Sequence, residues 1–229
     1  MGVNAGAVSP PQVLGPAGYE PQIAVVLSDD NRAFVLWSQQ PPPGSSAPTS
    51  VYLDHSADNV TFSAPPRAIA TLDQPPAQRL GPGAVALVRM TPSEGVLAAW
   101  PVMVDGDYAV QAAGLTATRV LTPATISQIG ADLRLAALAT GPRNDVVVVL
   151  ERAARASAGG FDATQQAILA ARTLPGGAVA FDTPVLLAPE GPNSAPAVAV
   201  DPDSDRAVLA WQTVVGGEDE IAYAVAGGT

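Results

Sequence analysis

The sequence predicts an all-β protein built from four like units. Three observations carry that expectation. Short apolar runs alternate with turns drawn from its 23 Pro and 21 Gly, the punctuation of strands rather than helices. No window of helical length sustains a 3.6-residue apolar period. And one phrase, small aliphatics followed by a tryptophan, recurs as AFVLWSQ (33–39), VLAAWPV (96–102) and AVLAWQT (207–213) in a chain with three tryptophans.

The tryptophan spacing fixes the unit. Trp37 and Trp100 lie 63 residues apart, and Trp100 and Trp211 lie 111 apart, close to two periods. A further copy is therefore expected near residue 150, where NDVVVVLER (144–152) places Leu150 in the tryptophan slot; the spacings become 63, 50 and 61, those of a structural repeat.

Each copy reads as a β-hairpin: an apolar run, a polar turn, a second apolar run. The four hairpins, strands A and B, are PQIAVVLSDDNRAFVLW (21–37), AVALVRMTPSEGVLAAW (84–100), RLAALATGPRNDVVVVL (134–150) and PAVAVDPDSDRAVLAW (196–211). A third strand, C, follows as TSVYLDHS (49–56), DYAVQAAG (107–114), QQAILAAR (165–172) and EIAYAVAG (220–227). Taken alone, FDATQQAILAAR (161–172) has helical propensity, but the parallel with the other copies assigns 165–172 to a strand. A fourth strand, D, reads PRAIATL (66–72), ATRVLTP (117–123) and DTPVLLAP (182–189).

The last copy has no D strand, and PPQVLGPAG (10–18) at the start of the chain resembles TPVLLAPEG (183–191). The order D, then three ABCD units, then ABC is the closure device of a β-propeller, which leaves no free sheet edge. The expectation is a single domain over 1–229: a four-bladed β-propeller with blades near 20–73, 82–123, 131–188 and 195–227, the last completed by an N-terminal strand at 10–16. Strand B, buried between neighbouring blades, should read as a continuous apolar run, with the tryptophan filling the wedge between blades.

The repeats resemble those of secreted bacterial propellers, in particular the Asp-box repeats of sialidase-like proteins, whose form is Ser-x-Asp-x-Gly-x-Thr-Trp. SADNVTF (56–62) carries the likeness through Ser56, Asp58, Thr61 and Phe62, with Val60 in place of the turn glycine and one residue missing; GGAVAF (176–181) keeps a glycine turn and the aromatic. The resemblance implies a bacterial, exported protein and, in sialidases, an arginine cluster, a Tyr–Glu pair and an acidic acid/base on about six blades. This chain offers four units, and none of Tyr19, Tyr52, Tyr108 or Tyr223 takes the nucleophile role from spacing.

Composition narrows the partners. The chain is acidic, with net charge −10, and its eleven basic residues are all Arg. It has no basic footprint for nucleic acid or anionic membrane, and no segment suited to membrane insertion. With no cysteine there are no disulfides, thiolate metal sites or Cys nucleophiles, which leaves the compartment open. The start of the chain lacks a signal peptide, so an extracellular or periplasmic location is expected with its leader absent from this chain, the cytoplasm being the alternative.

The loops joining B to C and D to A cluster at one face of a propeller, and loops on a rigid frame are where binding resides. That face nominates Tyr19, Glu20, Arg79, Asp105, Arg152, Arg155, Phe161, Asp162, Glu218 and Asp219, each with the plainer alternative of a solvated loop side chain. On the opposite face DPDSD (201–205) places Asp201, Asp203 and Asp205 in the alternation that opens calcium loops. The glycine and closing glutamate of such a loop are missing, and SDDNR (28–32) favours an ordinary turn. Apart from that calcium possibility no cofactor is expected. His55, the sole histidine, supports neither a histidine metal site nor a catalytic triad. Glu151 and Asp162 would form a hydrolytic carboxylate pair only if they converged.

Three functions follow. The first is a non-catalytic binding or scaffold module for a protein or glycan at the loop-rich face, as monomer or homodimer. The second is a carbohydrate-active hydrolase of sialidase-like type. The third is an arc that assembles with another copy into a larger ring.

Overall fold

The computed structural model describes residues 13–15, 21–28, 30–42, 45–56, 61–62, 65–72, 85–90, 95–105, 107–116, 118–127, 132–155, 161–173 and 179–227. Among them the fold is all-β, with four antiparallel sheets and no helix. The first sheet is β1 (Ile23–Leu27), β2 (Ala33–Gln39), β3 (Thr49–His55) and β4 (Arg67–Leu72). The second is β5 (Ala86–Arg89), β6 (Val96–Val104), β7 (Asp107–Leu115) and β8 (Ala124–Ile126). The third is β9 (Asp132–Thr140), β10 (Val146–Arg155), β11 (Phe161–Arg172) and β12 (Val185–Gly191), and the fourth is β13 (Ser194–Val200), β14 (Ala207–Val215) and β15 (Glu218–Ala226). Each sheet is a meander in chain order, so strands A to D of the sequence units are its successive strands.

The A–B turns explain the first hairpins. Asn31, Asn144 and Asp205 adopt positive φ of 61°, 62° and 57°, each six residues before the tryptophan-slot residue. Asn and Asp tolerate this conformation best among residues with a Cβ. The sequence alignment of Asn31 with Asp205 is thus an alignment of backbone geometry. After the third strands, isolated bridges Ser56↔Phe62, Leu115↔Val120 and Thr173↔Phe181 close the C–D corners of the first three sheets. Ser56, the first residue of the Asp-box-like segment, is fully buried, and its Oγ accepts from the Ala33 N–H at 3.0 Å. Asp58 and Val60 lie outside the described residues.

Three seams form the core. Between the first and second sheets Phe34, Leu36, Val51 and Leu53 meet Val96, Ala98, Trp100, Ala113 and Leu115. Between the second and third, Leu97, Ala99, Val110 and Ala112 meet Leu133, Leu135, Val146, Val148 and Leu150. Between the third and fourth, Val147, Val149 and Ile168 meet Ala207, Leu209 and Trp211. Trp100, Leu150 and Trp211 therefore each face the preceding sheet, while Phe34, Leu97 and Val147, three places before the slot in the first three B strands, face the following one. A B strand sandwiched in this way reads as unbroken apolar sequence, as VVVVL does, because both faces are dry. Each large side chain so buried contributes about 1.5–3 kcal/mol.

Four expectations change. The fourth strand of the second sheet is Ala124–Ile126, beyond the expected 117–123; Pro123 lacks a donor for a ladder, and pairing resumes after it. The loop expected over 153–164 is largely strand: β10 runs to Arg155 and β11 starts at Phe161, with Arg155 opposite Phe161, so Arg155, Phe161 and Asp162 stand on strands. In the same way Glu218 and Asp219 open β15 rather than lie in a loop, because Gly216 and Gly217, with φ of 64° and 89°, close a two-residue hairpin. Finally, residues 13–15 of the expected closing strand form no strand. A Cβ on Gly15 would stand 3.3 Å from both Trp37 and Pro66, which puts this segment on the first sheet rather than beside β15. Residues 10–12 and 16 lie outside the described residues. Among those described, β15 pairs with β14 alone.

Candidate functional site

Strand direction sends the B–C and D–A connections of a sheet to one end and the A–B and C–D connections to the other. Side-chain bonds across the seams show that neighbouring sheets share this orientation. At the B–C end of the second sheet the Tyr108 N–H donates to Asp132 Oδ1, at the start of β9, at 2.8 Å. At the opposite end Arg172, finishing β11, pairs with Asp145 of its own sheet and, at 2.6 Å, with Asp205 Oδ1 of the fourth.

The B–C end of the third sheet holds a group of interacting polar residues. Glu151 is buried and its carboxylate accepts from Arg134, directly opposite on β9, with Nε–Oε2 at 2.8 Å. Arg152 pairs with Glu190 of β12. A bond from its own backbone N–H and then those from Arg152 hold the Glu190 carboxyl below the usual carboxylate range. Gln166, 3% exposed, stands opposite Ala153 and Gly191. The Asn193 side-chain amide donates to the carbonyls of Gln166 and Pro189, both at 2.8 Å, and so ties the D–A link to β11. The side-chain oxygen of Gln166 is buried.

Of the residues nominated from sequence, Tyr19, Glu20 and Arg79 lie outside the described residues. Asp105 occupies the turn between β6 and β7, exposed and at φ 53°. Glu218 and Asp219 are exposed at the tip of the last hairpin. Arg152 stands in the polar group, while Arg155, Phe161 and Asp162 fall at the strand ends beyond it. Asp132, Arg134, Gln166, Glu190 and Asn193 were not nominated. Their roles depend on cross-strand partners: Arg134 and Glu151 meet across 17 residues, Arg152 and Glu190 across 38. The one available signal is a polar residue interrupting an apolar strand, as Arg134 and Gln166 do.

The carboxylates of DPDSD diverge. Asp201 accepts from the Asp203 N–H at 2.9 Å and the Ser204 hydroxyl at 2.5 Å, whereas Asp205 turns to Arg172. The Ser204 bond, then that from Asp203, holds the Asp201 carboxyl below its ordinary range. Among the described residues no three His, Cys, Asp or Glu side chains group to hold a metal ion. His55 stacks on Phe34 with centroids 5.9 Å apart. Tyr52 stacks on Trp37 at 5.6 Å, Tyr108 is buried and Tyr223 is 73% exposed. An apolar pocket of about 250 Å³ opens beside Trp37, lined by Val13, Leu14, Gly15, Pro21, Ile23 and Val35.

No protein-family model matches the chain, and no curated protein matches it by sequence. In fold it is similar to solved carbohydrate-active enzymes. A polysaccharide lyase of family PL25, an ulvan lyase, superposes with TM-score 0.62 over 90% of this chain and 52% of its own, at 8% identity. Bound to -[GlcA(1-4)Rha3S]-, the PL25 ulvan lyase superposes at 0.54 over 88% and 54%, at 10% identity. The Penicillium chrysogenum α-L-arabinanase complexed with arabinobiose gives 0.55 over 89% and 61%, at 12% identity. These neighbours are β-propellers, and the fold of the present chain is propeller-like. It spans about half to three-fifths of their lengths. Among the described residues no helix is long and apolar enough to cross a membrane.

Proposed function

We propose that this chain is a single four-bladed propeller-like module that binds a neutral glycan, without cleaving it, at the end carrying the B–C and D–A connections. Binding centres on Arg152, Gln166 and Glu190, with Asp105, Glu218 and Asp219 on neighbouring hairpin tips. The observation that carries the reading is the Arg152–Glu190 pair, whose side chains are 23% and 42% exposed at this end. A sugar hydroxyl donates to a carboxylate and accepts from an arginine, and the fold likeness to glycan-processing propellers supports the same ligand class. A net charge of −10 repels polyanions, which favours a neutral polymer such as arabinan over a sulfated one such as ulvan. Such polymers lie outside the cell, where this reading places the protein.

The absence of cleavage rests on the carboxylates. A general acid needs a raised pKa. Glu190 is instead held low by hydrogen bonds and Arg152, and Glu151 is committed to Arg134.

The test is affinity electrophoresis in arabinan and in ulvan, followed by a glycan array and a reducing-end assay. Retardation by arabinan, lost at least tenfold in Arg152→Ala and Glu190→Ala with unchanged circular dichroism, is the expected result. Release of reducing ends would establish the hydrolase alternative, and retention of no neutral glycan by folded protein would reject the reading.

A further inference from the structure

The fourth sheet presents an apolar face that the chain itself leaves open, and the first sheet does so along β1. In the first three sheets, the residue three places before the tryptophan slot packs on the following sheet and is 0%, 0% and 4% exposed, as Phe34, Leu97 and Val147. Its counterpart in the fourth sheet, Val208, is 46% exposed. The same face carries Ala199 and Ala210, and on β15 Ile221, Tyr223 and Val225, exposed by 73%, 73% and 55%. At the other end of the arc Trp37 occupies the slot that elsewhere packs on a preceding sheet, with Val35 and Ala33 on its face, all three buried. Opposite these, β1 turns outward Ile23, Val25 and Leu27, exposed by 63%, 63% and 52%. Residues 13–15 lie over Trp37 and leave the β1 side chains uncovered.

These faces are the two halves of one seam. Each internal seam joins a face of the fourth-sheet kind to a face of the first-sheet kind, three times in this molecule. Among the described residues no core cluster joins the fourth sheet to the first, so a second copy is the partner that supplies both. Large apolar faces of this type mark contact surfaces. About half of the PL25 lyase chain lies beyond the aligned segment, so the same arc exists as part of a larger molecule. We infer that the fourth sheet of one copy packs on the first sheet of another, continuing the sheet-to-sheet stacking across molecules. The contact is heterologous, and it closes when two arcs complete a ring. It is independent of the proposed glycan site, which lies at the connection end rather than on a sheet face.

Sedimentation equilibrium on the full chain at up to about 100 μM, a range that captures weak but specific interfaces, tests this. The wild type is expected to pass from its 23.1 kDa monomer to twice that mass. Tyr223→Asp on one face and Val25→Asp on the other are each expected to weaken association at least tenfold. Both positions are exposed, and near-ultraviolet circular dichroism checks the fold. Mixing the two variants is expected to give a heterodimer held by one unaltered contact, since each keeps the face the other has lost. As the chain has no cysteine, Tyr223→Cys and Val25→Cys proteins mixed with a bismaleimide give a second measurement: a crosslinked heterodimer in excess of either homodimer. A monomer throughout the concentration range overturns the inference. So does association that Val25→Asp leaves intact, which would mean like faces meet.

Discussion

Gly141 shows how one missing side chain locks a seam. A Cβ there would stand 2.5 Å from Asp145 Oδ1 and 2.5 Å from Asp205 Oδ1, both carboxylates gathered by Arg172. Gly141→Ala is expected to push the two apart and cost about 1–3 kcal/mol, as overpacking does, read as a lower urea midpoint at unchanged slope. Asp201, at the turn beside it, makes a different prediction. Its pKa is lowered in the folded protein, so its contribution is present above the ordinary carboxylate range and disappears as pH falls through the lowered value. The stability gap between wild type and Asp201→Asn should therefore be widest near neutrality and close as pH falls below the ordinary carboxylate range, measured by urea titration at each pH. At this scale the sequence exposes the turn chemistry of Asn31 and Asp205 but hides Arg172, whose two carboxylates lie 27 and 33 residues away along the chain.

The hairpin was the most readable element. Its apolar runs and Asn/Asp turns are local, and all four A–B pairs lie where the pattern puts them. Strand length was less readable. The β10–β11 hairpin extends to Arg155 and Phe161, over residues that periodicity alone assigns to a loop. The β14–β15 hairpin turns in two residues because Gly216 and Gly217 both take positive φ. Nothing stands within 4 Å of a Cβ added to either, so the requirement is conformational alone. Gly217→Ala should cost about 1 kcal/mol or more, whereas Gly216→Asn, a residue favoured in such turns, should cost less; chemical denaturation of the two variants orders them.

At the scale of the molecule the repeat foretold four sheets stacked in chain order, and the seams follow from it. Of PPQVLGPAG, expected to close the last sheet, only residues 13–15 are described; they form no strand, and Gly15 lies against Trp37. The candidate site was half legible: Arg152, Asp105, Glu218 and Asp219 follow from where hairpins end, while Gln166 and Glu190 acquire meaning only when β11 and β12 are laid side by side.

The position of the aromatic slot also equips the molecule with its own optical reporters. Trp100 looks into the first seam and Trp211 into the third, Trp37 looks outward, and the middle seam, holding Leu150, is dark. Emission from proteins that keep a single indole would thus follow the loosening of each joint on its own, and would tell whether the arc unzips from one tip or melts as a block.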